Sequence, residues 1–201
     1  MKKYFNKIHY SENLKLQDKL FKSILAVFSM PYFAGVSLRN FLYSKNILKK
    51  VKLPAYVISV GNLTTGGTGK TPITIEIAKY IKDKFHKKVA VLSRGYGGKL
   101  SGNEVNVVSD GKNILLSPYR AGEEPWLIAS KLNGVVVLTG KDRAKLGKYA
   151  IKNFGAEILI LDDGFQHIKL ERDLNILVVD AHKKFGNGML LPSGPLREPV
   201  T

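Results

Sequence analysis

Residues 57–71, Val57-Ile58-Ser59-Val60-Gly61-Asn62-Leu63-Thr64-Thr65-Gly66-Gly67-Thr68-Gly69-Lys70-Thr71, run from an apolar, β-branched stretch into a glycine-rich turn that closes on Lys-Thr. A buried strand, such a turn and then a helix form the arrangement that wraps the phosphates of a nucleoside triphosphate. The glycines let backbone N–H groups turn inward around oxygen anions. Lys70 reaches the β- and γ-phosphates, and the Thr71 hydroxyl faces Mg²⁺ at the positive end of the helix. On this reading Thr64, Thr65, Gly66, Gly67, Thr68, Gly69, Lys70 and Thr71 bind ATP or GTP, Lys70 is also catalytic, and Thr71 is a metal ligand. Pro72 suits the first helical turn, where a missing N–H is harmless. The strict pattern G-x-x-x-x-G-K-[ST] has glycine where this chain has Thr64, so the loop is a variant. Gly66 and Gly67 still supply the turn, and Ile73, Ile77, Ala78 and Ile81 continue at helical spacing. A bare strand-to-helix turn would gain nothing from Lys-Thr at the helix start.

Outward from this loop, apolar runs alternate with helical stretches from residue 55 onward, which predicts an α/β fold of the P-loop NTPase type: a mainly parallel sheet flanked by helices. Core strands are expected at 55–60, 89–93, 135–139, 158–162 and 174–180, and helices at about 70–83, 123–132 and 141–153. A short edge strand near 104–109, followed by Asp110-Gly111, predicts a hairpin. The unbroken apolar runs Val135-Val136-Val137-Leu138 and Ile158-Leu159-Ile160-Leu161 predict burial on both sheet faces. Ligands of such sheets sit at the carboxyl ends of the strands. There the chain places the phosphate loop, Ser93-Arg94-Gly95-Tyr96-Gly97, Asp162-Asp163-Gly164-Phe165-Gln166-His167 and Asp180.

Phosphoryl transfer needs Mg²⁺ held by the loop hydroxyl and by a carboxylate at the end of a neighbouring strand. Asp162 and Asp163 stand at that position, and spacing does not choose between them; the alternative for a strand-terminal aspartate is a turn or cap. Glu123 and Glu124, in Gly122-Glu123-Glu124-Pro125-Trp126, either favour a helix N-terminus or act chemically. In the second case one accepts a proton from an attacking hydroxyl and the other helps to hold the metal.

With no cysteine, disulfides and thiolate metal sites are excluded, and the four histidines lack metal-ligand spacing. The content of 44% hydrophobic and 24% charged residues is that of an ordinary folded domain. The net charge of +16 is concentrated early: residues 1–52 carry eleven Lys and Arg against two acidic side chains. Leu14, Leu20, Phe21, Ile24, Leu25 and Phe28 recur at helical spacing, with Lys15, Lys19 and Lys22 on other faces, so an amphipathic helix is expected over 14–28. Ser29-Met30-Pro31 is expected to interrupt it before a second apolar stretch, Tyr32 to Tyr43. Neither piece alone reaches the ~20 apolar residues of a bilayer span, and the pattern is not that of a secretory signal. An aromatic-rich, lysine-flanked helical pair suits an anionic membrane interface; its apolar face can equally pack on the chain's own core. The expected organisation is a basic, membrane-associating helical segment over 1–52 and a nucleotide-binding lobe over 53–201.

Five segments in order resemble the tetraacyldisaccharide 4′-kinase family of lipid A biosynthesis: Gly61–Pro72, Ser93–Gly97, Gly122–Pro125, Leu161–His167 with Arg172-Asp173, and Phe185–Pro199. The resemblance covers nearly the whole chain. It implies transfer of the γ-phosphate of ATP, with Mg²⁺, to the 4′-hydroxyl of a tetraacylated glucosamine disaccharide 1-phosphate. The implied location is the cytoplasmic face of the inner membrane, as a peripheral, monotopic protein whose N-terminal helices meet an anionic surface. It further implies Lys70, Glu123 and Asp162 as catalytic, Thr71, Glu124, Asp162 and Asp163 as metal-binding, and Arg94, Gln166, His167 and Arg197 as substrate-binding. Two departures stand out: Glu123 occupies the place of the family's usual aspartate, and the family has a second lobe beyond the length of this chain. Two other classes fit the sequence less well. A membrane-associated switch ATPase carries a signature lysine where this chain has Thr65, and an ATP-dependent nucleic-acid-binding protein would explain the pI near 9.9 but not the bulky apolar residues among the lysines, so no nucleic-acid partner is expected.

Overall fold

The apolar runs become strands of one sheet in a computed structural model that describes residues 2–11, 14–100 and 102–200. In chain order the elements are α1 (Lys2–Tyr10), α2 (Leu16–Ser44), β1 (Tyr56–Gly61), α3 (Lys70–Phe85), β2 (Val89–Ser93) and β3 (Asn106–Asp110). There follow α4 (Pro118–Ala121), α5 (Glu123–Lys131), β4 (Val136–Thr139), α6 (Arg143–Phe154), β5 (Ile158–Asp162) and β6 (Leu174–Leu177). The sheet order is β3-β4-β2-β5-β1-β6, with every pairing parallel except β3 with β4.

Burial on both faces explains the continuous apolar runs: every residue of β2 and of β4 is buried. The two-residue period of a strand then sorts side chains by face. Val60, Val91, Val137 and Ile160 pack with Ile75 and Ala78 of α3 and Ile128 and Ala129 of α5. Their neighbours Ala90, Leu92, Leu138, Leu159 and Leu161 pack with Ala144, Leu146 and Ala150 of α6. Gly147 lets α6 lie close to the sheet, because a Cβ there would come within 2.4 Å of Leu53 Cδ1 and 3.0 Å of Leu159 Cδ1. The hairpin expected after β3 forms at Asp110, whose carboxylate accepts from the N–H groups of Lys112 and Asn113.

By compactness the chain forms two units, one of Met1–Leu48, Asn62–Thr68 and Val179–Thr201, the other of Lys49–Gly61 and Gly69–Val178. This differs from a single boundary at 52/53. The sheet and helices α3 to α6 lie in the second unit. In the first, α1 and α2 are bound to the late segment. Asn187 Nδ2 donates to the carbonyls of Ile8 and Ser193, its Oδ1 accepts from the Met189 N–H, and its own N–H donates to His9 O.

Several expectations are corrected. Helix α2 runs without a break through Ser29-Met30-Pro31. Ser29 is buried; its one hydroxyl proton lies between Leu25 O, in the preceding turn of the helix, and Leu190 O, each at 3.1 Å, and its oxygen accepts from the Ser193 N–H, so the side chain ties the helix to the late segment rather than breaking it. At 29 residues α2 is about 43 Å long. Among the described residues it is the one helix long and apolar enough to cross a membrane, with a mean hydropathy of 1.4 in its most apolar 18-residue window and 11% of that window buried. Strand β6 stops at Leu177, and Asp180 lies beyond it, accepting from the backbone N–H groups of His182 and Lys183 in a turn. On α3 the expected positions Ile77, Ala78 and Ile81 pack on the core together with Thr74 and Ile75, while Ile73 is 36% exposed.

Candidate active site

The loop between β1 and α3 divides between the two units. In the first unit, Asn62 Nδ2 donates to Thr68 Oγ1 at 3.0 Å and lies 3.5 Å from Thr64 Oγ1, bracing the loop across its width. The late segment straps the same stretch: Thr65 N–H donates to Pro195 O at 2.8 Å, Arg197 N–H donates to Leu63 O at 2.6 Å, and Thr64 forms an antiparallel bridge with Leu196. Gly194 makes this approach possible, since a Cβ there would lie 2.2 Å from Asn187 Oδ1 and from Met189 O. The segment Asn187–Arg197 therefore holds the phosphate loop through its backbone. The main chain of Arg197 does part of that work and also accepts from the Tyr32 hydroxyl at 2.9 Å.

In the second unit, Gly69 takes a left-handed φ of +80° as Lys70 opens α3. Lys70 Nζ lies 3.7 Å from Asp163 Oδ1. One turn further along α3, the Thr74 hydroxyl donates to Asp162 Oδ1 at 3.1 Å, and both side chains are buried. Thus α3 presents a lysine and a hydroxyl, spaced i and i+4, to the two aspartates that end β5. Asp163 adopts a φ of +51°, which swings the chain out of the strand, and Gly164 follows where a Cβ would lie 2.5 Å from Leu161 Cβ and 2.7 Å from Ser59 Oγ. Phe165 then lies over Gly61, where a Cβ would meet its ring at 2.3 Å. Arg172 donates to Phe165 O at 2.9 Å and sits 6.0 Å from the ring centre. Asp173 accepts from the Val57 N–H at 2.7 Å and donates its own N–H to Val57 O, which fixes the chain at the start of β6.

The electrostatics centre on Asp162. It is 2% exposed, and burial pushes its carboxyl up to about 6; Glu124 and Asp163 add to the rise, while the Thr74 hydroxyl and Lys70 oppose it. Beside it lies Arg143, 3% exposed, donating to Gly140 O at 2.6 Å and reaching to 3.5 Å from Asp162 O. Burial lowers this guanidinium to about 10, with Asp162 pulling the other way, so it stays charged at neutral pH. His167 is half-buried; burial, reinforced by Arg143, pushes its imidazole down to about 4 and keeps it neutral.

Glu123 and Glu124 form the exposed first turn of α5. Gly122, at φ +96°, precedes them, and a Cβ there would lie 2.6 Å from Tyr96 O; at Gly98 a Cβ would lie 2.6 Å from Arg120 O. Glycine on both sides lets the loop after β2, which carries Arg94, sit against the entry to α5. Sequence reasoning missed Thr74 and Arg143. A polar β-branched residue four places after Lys70, and an arginine just after Asp142 at a helix start, were the available signals. Among the described residues no group of three or more His, Cys, Asp and Glu could hold a metal by itself. A cation such as Mg²⁺ takes one or two protein carboxylates and fills the rest of its shell with phosphate and water oxygens, and the carboxylates of Asp162 and Asp163 at the end of β5 fit that donor chemistry.

A phosphate loop after β1, a lysine and two aspartates converging from α3 and β5, and a parallel sheet with one antiparallel edge define a P-loop kinase fold. A crystal structure of LpxK from Aquifex aeolicus in complex with ATP superposes with a TM-score of 0.80 at 45% identity, covering 89% of this chain and 55% of that one. Residues 21–201 match the family described as tetraacyldisaccharide-1-P 4′-kinase. The chain belongs to that family. Relatives named tetraacyldisaccharide 4′-kinase include those of Syntrophus aciditrophicus, 55% identical over 181 residues (90% of this chain and 48% of the relative), and Pelobacter propionicus, 44% identical over 198 residues (98% and 54%). The chain spans about half the length of the curated relatives it matches.

Proposed function

We propose that this chain supplies the ATP-handling part of a lipid A 4′-kinase, which moves the γ-phosphate of ATP to the 4′-hydroxyl of a tetraacylated glucosamine disaccharide 1-phosphate. The observation that carries the reading is the pairing of Lys70 with Asp163 and of Thr74 with Asp162 at one end of β5, in a chain of this family. In the proposed reaction the 4′-oxygen attacks the γ-phosphorus, the bond from that phosphorus to the β-bridging oxygen breaks, and ADP leaves. Lys70 neutralises charge on the β- and γ-phosphates, and the backbone of Thr64 to Gly69 holds them. Glu123 takes the proton from the 4′-hydroxyl; its place in the Gly-x-Glu-Pro segment motivates that role. Thr71, Asp162 and Asp163, with Glu124, would hold Mg²⁺, which when bound would neutralise charge on the transferring phosphate. Arg143 supports the Asp162 backbone, and Arg94, Gln166, His167 and Arg197 contact the lipid substrate.

The test is phosphoryl transfer by the full-length protein from labelled ATP to the acylated disaccharide 1-phosphate. Lys70→Ala is expected to lower kcat/KM by about a thousandfold or more. Glu123→Gln is expected to lower kcat by about 10²–10⁴ while leaving ATP affinity within about twofold. Near-wild-type turnover in Lys70→Ala would sink the phosphate-loop assignment, and collapse of ATP affinity in Glu123→Gln would make that residue a metal or nucleotide ligand instead.

A further inference from the structure

A cleft of about 840 Å³ opens in the first unit where α1, the N-terminal half of α2 and the turn 182–189 meet. Lys19 and Lys22, three residues apart on α2, line one side; His182, Lys183 and Lys184 line the other. No carboxylate lines it among the described residues. The three described carboxylates of this unit already have partners, and of the three Asp180 stands beside the cleft, bonded to the backbone of two residues that line it. Asp18 is paired with Lys7 and accepts from the Tyr4 hydroxyl, Asp180 caps the N–H groups of His182 and Lys183, and Glu198 is paired with Arg39 at 2.6 Å. Lys183 Nζ lies 5.8 Å from the centre of the Tyr10 ring, which turns it along the cleft wall. Four ammonium groups are thus gathered around one concavity, a like-charge arrangement that an anion in the cleft would relieve.

The surroundings identify the anion. Leu16, Leu20 and Ile24, interleaved with Lys19 and Lys22 on α2, are 75%, 60% and 56% exposed, and Val27 is 61% exposed. A ligand with a phosphate in the cleft would find an uncovered apolar stripe on the same helix for its chains. We infer that this cleft binds the phosphodiester headgroup of an anionic glycerophospholipid of the surrounding membrane, at a site separate from the phosphate loop. The site anchors the protein in one orientation at the surface, and its occupancy does not depend on the kinase reading.

The experiment is flotation of the full chain, without ATP, on phosphatidylcholine vesicles with and without 30% phosphatidylglycerol; neither vesicle contains an acylated disaccharide. The double variant Lys183→Gln/Lys184→Gln is compared with Lys49→Gln/Lys50→Gln, which removes the same charge from exposed residues outside the cleft. Diffuse attraction alone is worth up to about fivefold per lysine near an anionic surface, so the control is expected to lose at most about 25-fold on the anionic vesicles, and the cleft variant, which also loses direct contacts to the headgroup, several-fold more than the control. Soluble dihexanoyl phosphatidylglycerol should bind the wild type saturably at one site and the cleft variant not at all. Equal loss in the two variants would mean diffuse attraction and overturn the site. Release of the protein from anionic vesicles by millimolar inorganic phosphate would assign the cleft to a soluble phosphate and overturn it as well. Circular dichroism and thermal unfolding confirm that the variants fold.

Discussion

Asp162 carries the most informative tension at the scale of single residues. Its carboxyl is raised to about 6 from an ordinary value near 4, chiefly by burial. The sign follows from linkage: with the folded pKa above the unfolded one, the native state binds more protons between these values, so this group's contribution to stability is most favourable below about pH 4 and declines as pH rises through 6. At pH 7 the ionised group then costs up to about 3 kcal/mol. Asp162→Asn keeps an acceptor for the Thr74 hydroxyl and removes the buried charge. It is expected to raise the thermal midpoint at pH 7.5 in chelator, by several degrees, while abolishing phosphoryl transfer; the advantage should vanish near pH 4. Destabilisation at pH 7.5 would show that Asp162 is held chiefly by attraction to Arg143 and Lys70. A residue that is worth more to activity than to the fold is what a metal-binding carboxylate should be.

At the scale of elements, the sequence disclosed whatever period and punctuation disclose. The runs at 89–93 and 158–162 became β2 and β5 with the expected bounds, and the Asp110-Gly111 turn closed its hairpin, because burial on two faces and turn chemistry leave local marks. The Lys70 loop and the paired aspartates were legible for the same reason. Helix α2 was not. Pro31 reads locally as a stop, because it removes a helical hydrogen bond and crowds the carbonyl four residues earlier, but Ser29, Tyr32 and Arg39 are fastened to Leu190 and Ser193, to Arg197 and to Glu198, partners about 160 residues away. No local pattern announces such partners. Nor did any announce that Arg172 and Asp173 are structural, or that Asn187 is the knot of the late segment. Asn187→Ala removes bonds to Ile8, Ser193 and Met189, each worth about 1 kcal/mol when buried. It is expected to lower stability by about 2–3 kcal/mol in chemical denaturation and, by loosening the strap on Thr65, to raise the KM for ATP more than it lowers kcat. An unchanged KM in a destabilised variant would separate the strap from nucleotide binding.

At the scale of the whole molecule the question is whether α2 crosses the membrane or lies on it. Length and hydropathy permit crossing. Against it stands the spacing of its polar attachments: Ser29, Tyr32 and Arg39 bind the late segment along the middle and C-terminal half of the helix. A spanning α2 would draw the backbone of Leu190–Glu198, with Arg197 and Glu198, into hydrocarbon, where unsatisfied polar groups cost several kcal/mol each. Around these attachments Phe28, Phe33, Leu38 and Phe41 are exposed at 62%, 50%, 58% and 52%. We therefore propose that the helix lies in the interface with these apolar side chains in contact with lipid. Because the chain has no cysteine, single cysteines report its disposition without background. Leu16→Cys and Ser44→Cys, at the two ends of α2, are placed on sealed vesicles carrying the bound full-length protein and treated with a membrane-impermeant maleimide from outside. Both are expected to label at similar rates, and Phe28→Ser/Phe33→Ser/Phe41→Ser is expected to abolish flotation while leaving the thermal midpoint within about two degrees, since these rings are exposed in the fold. Labelling of one end only, with the other reached after detergent, would establish a spanning helix and require the late segment to let go of it.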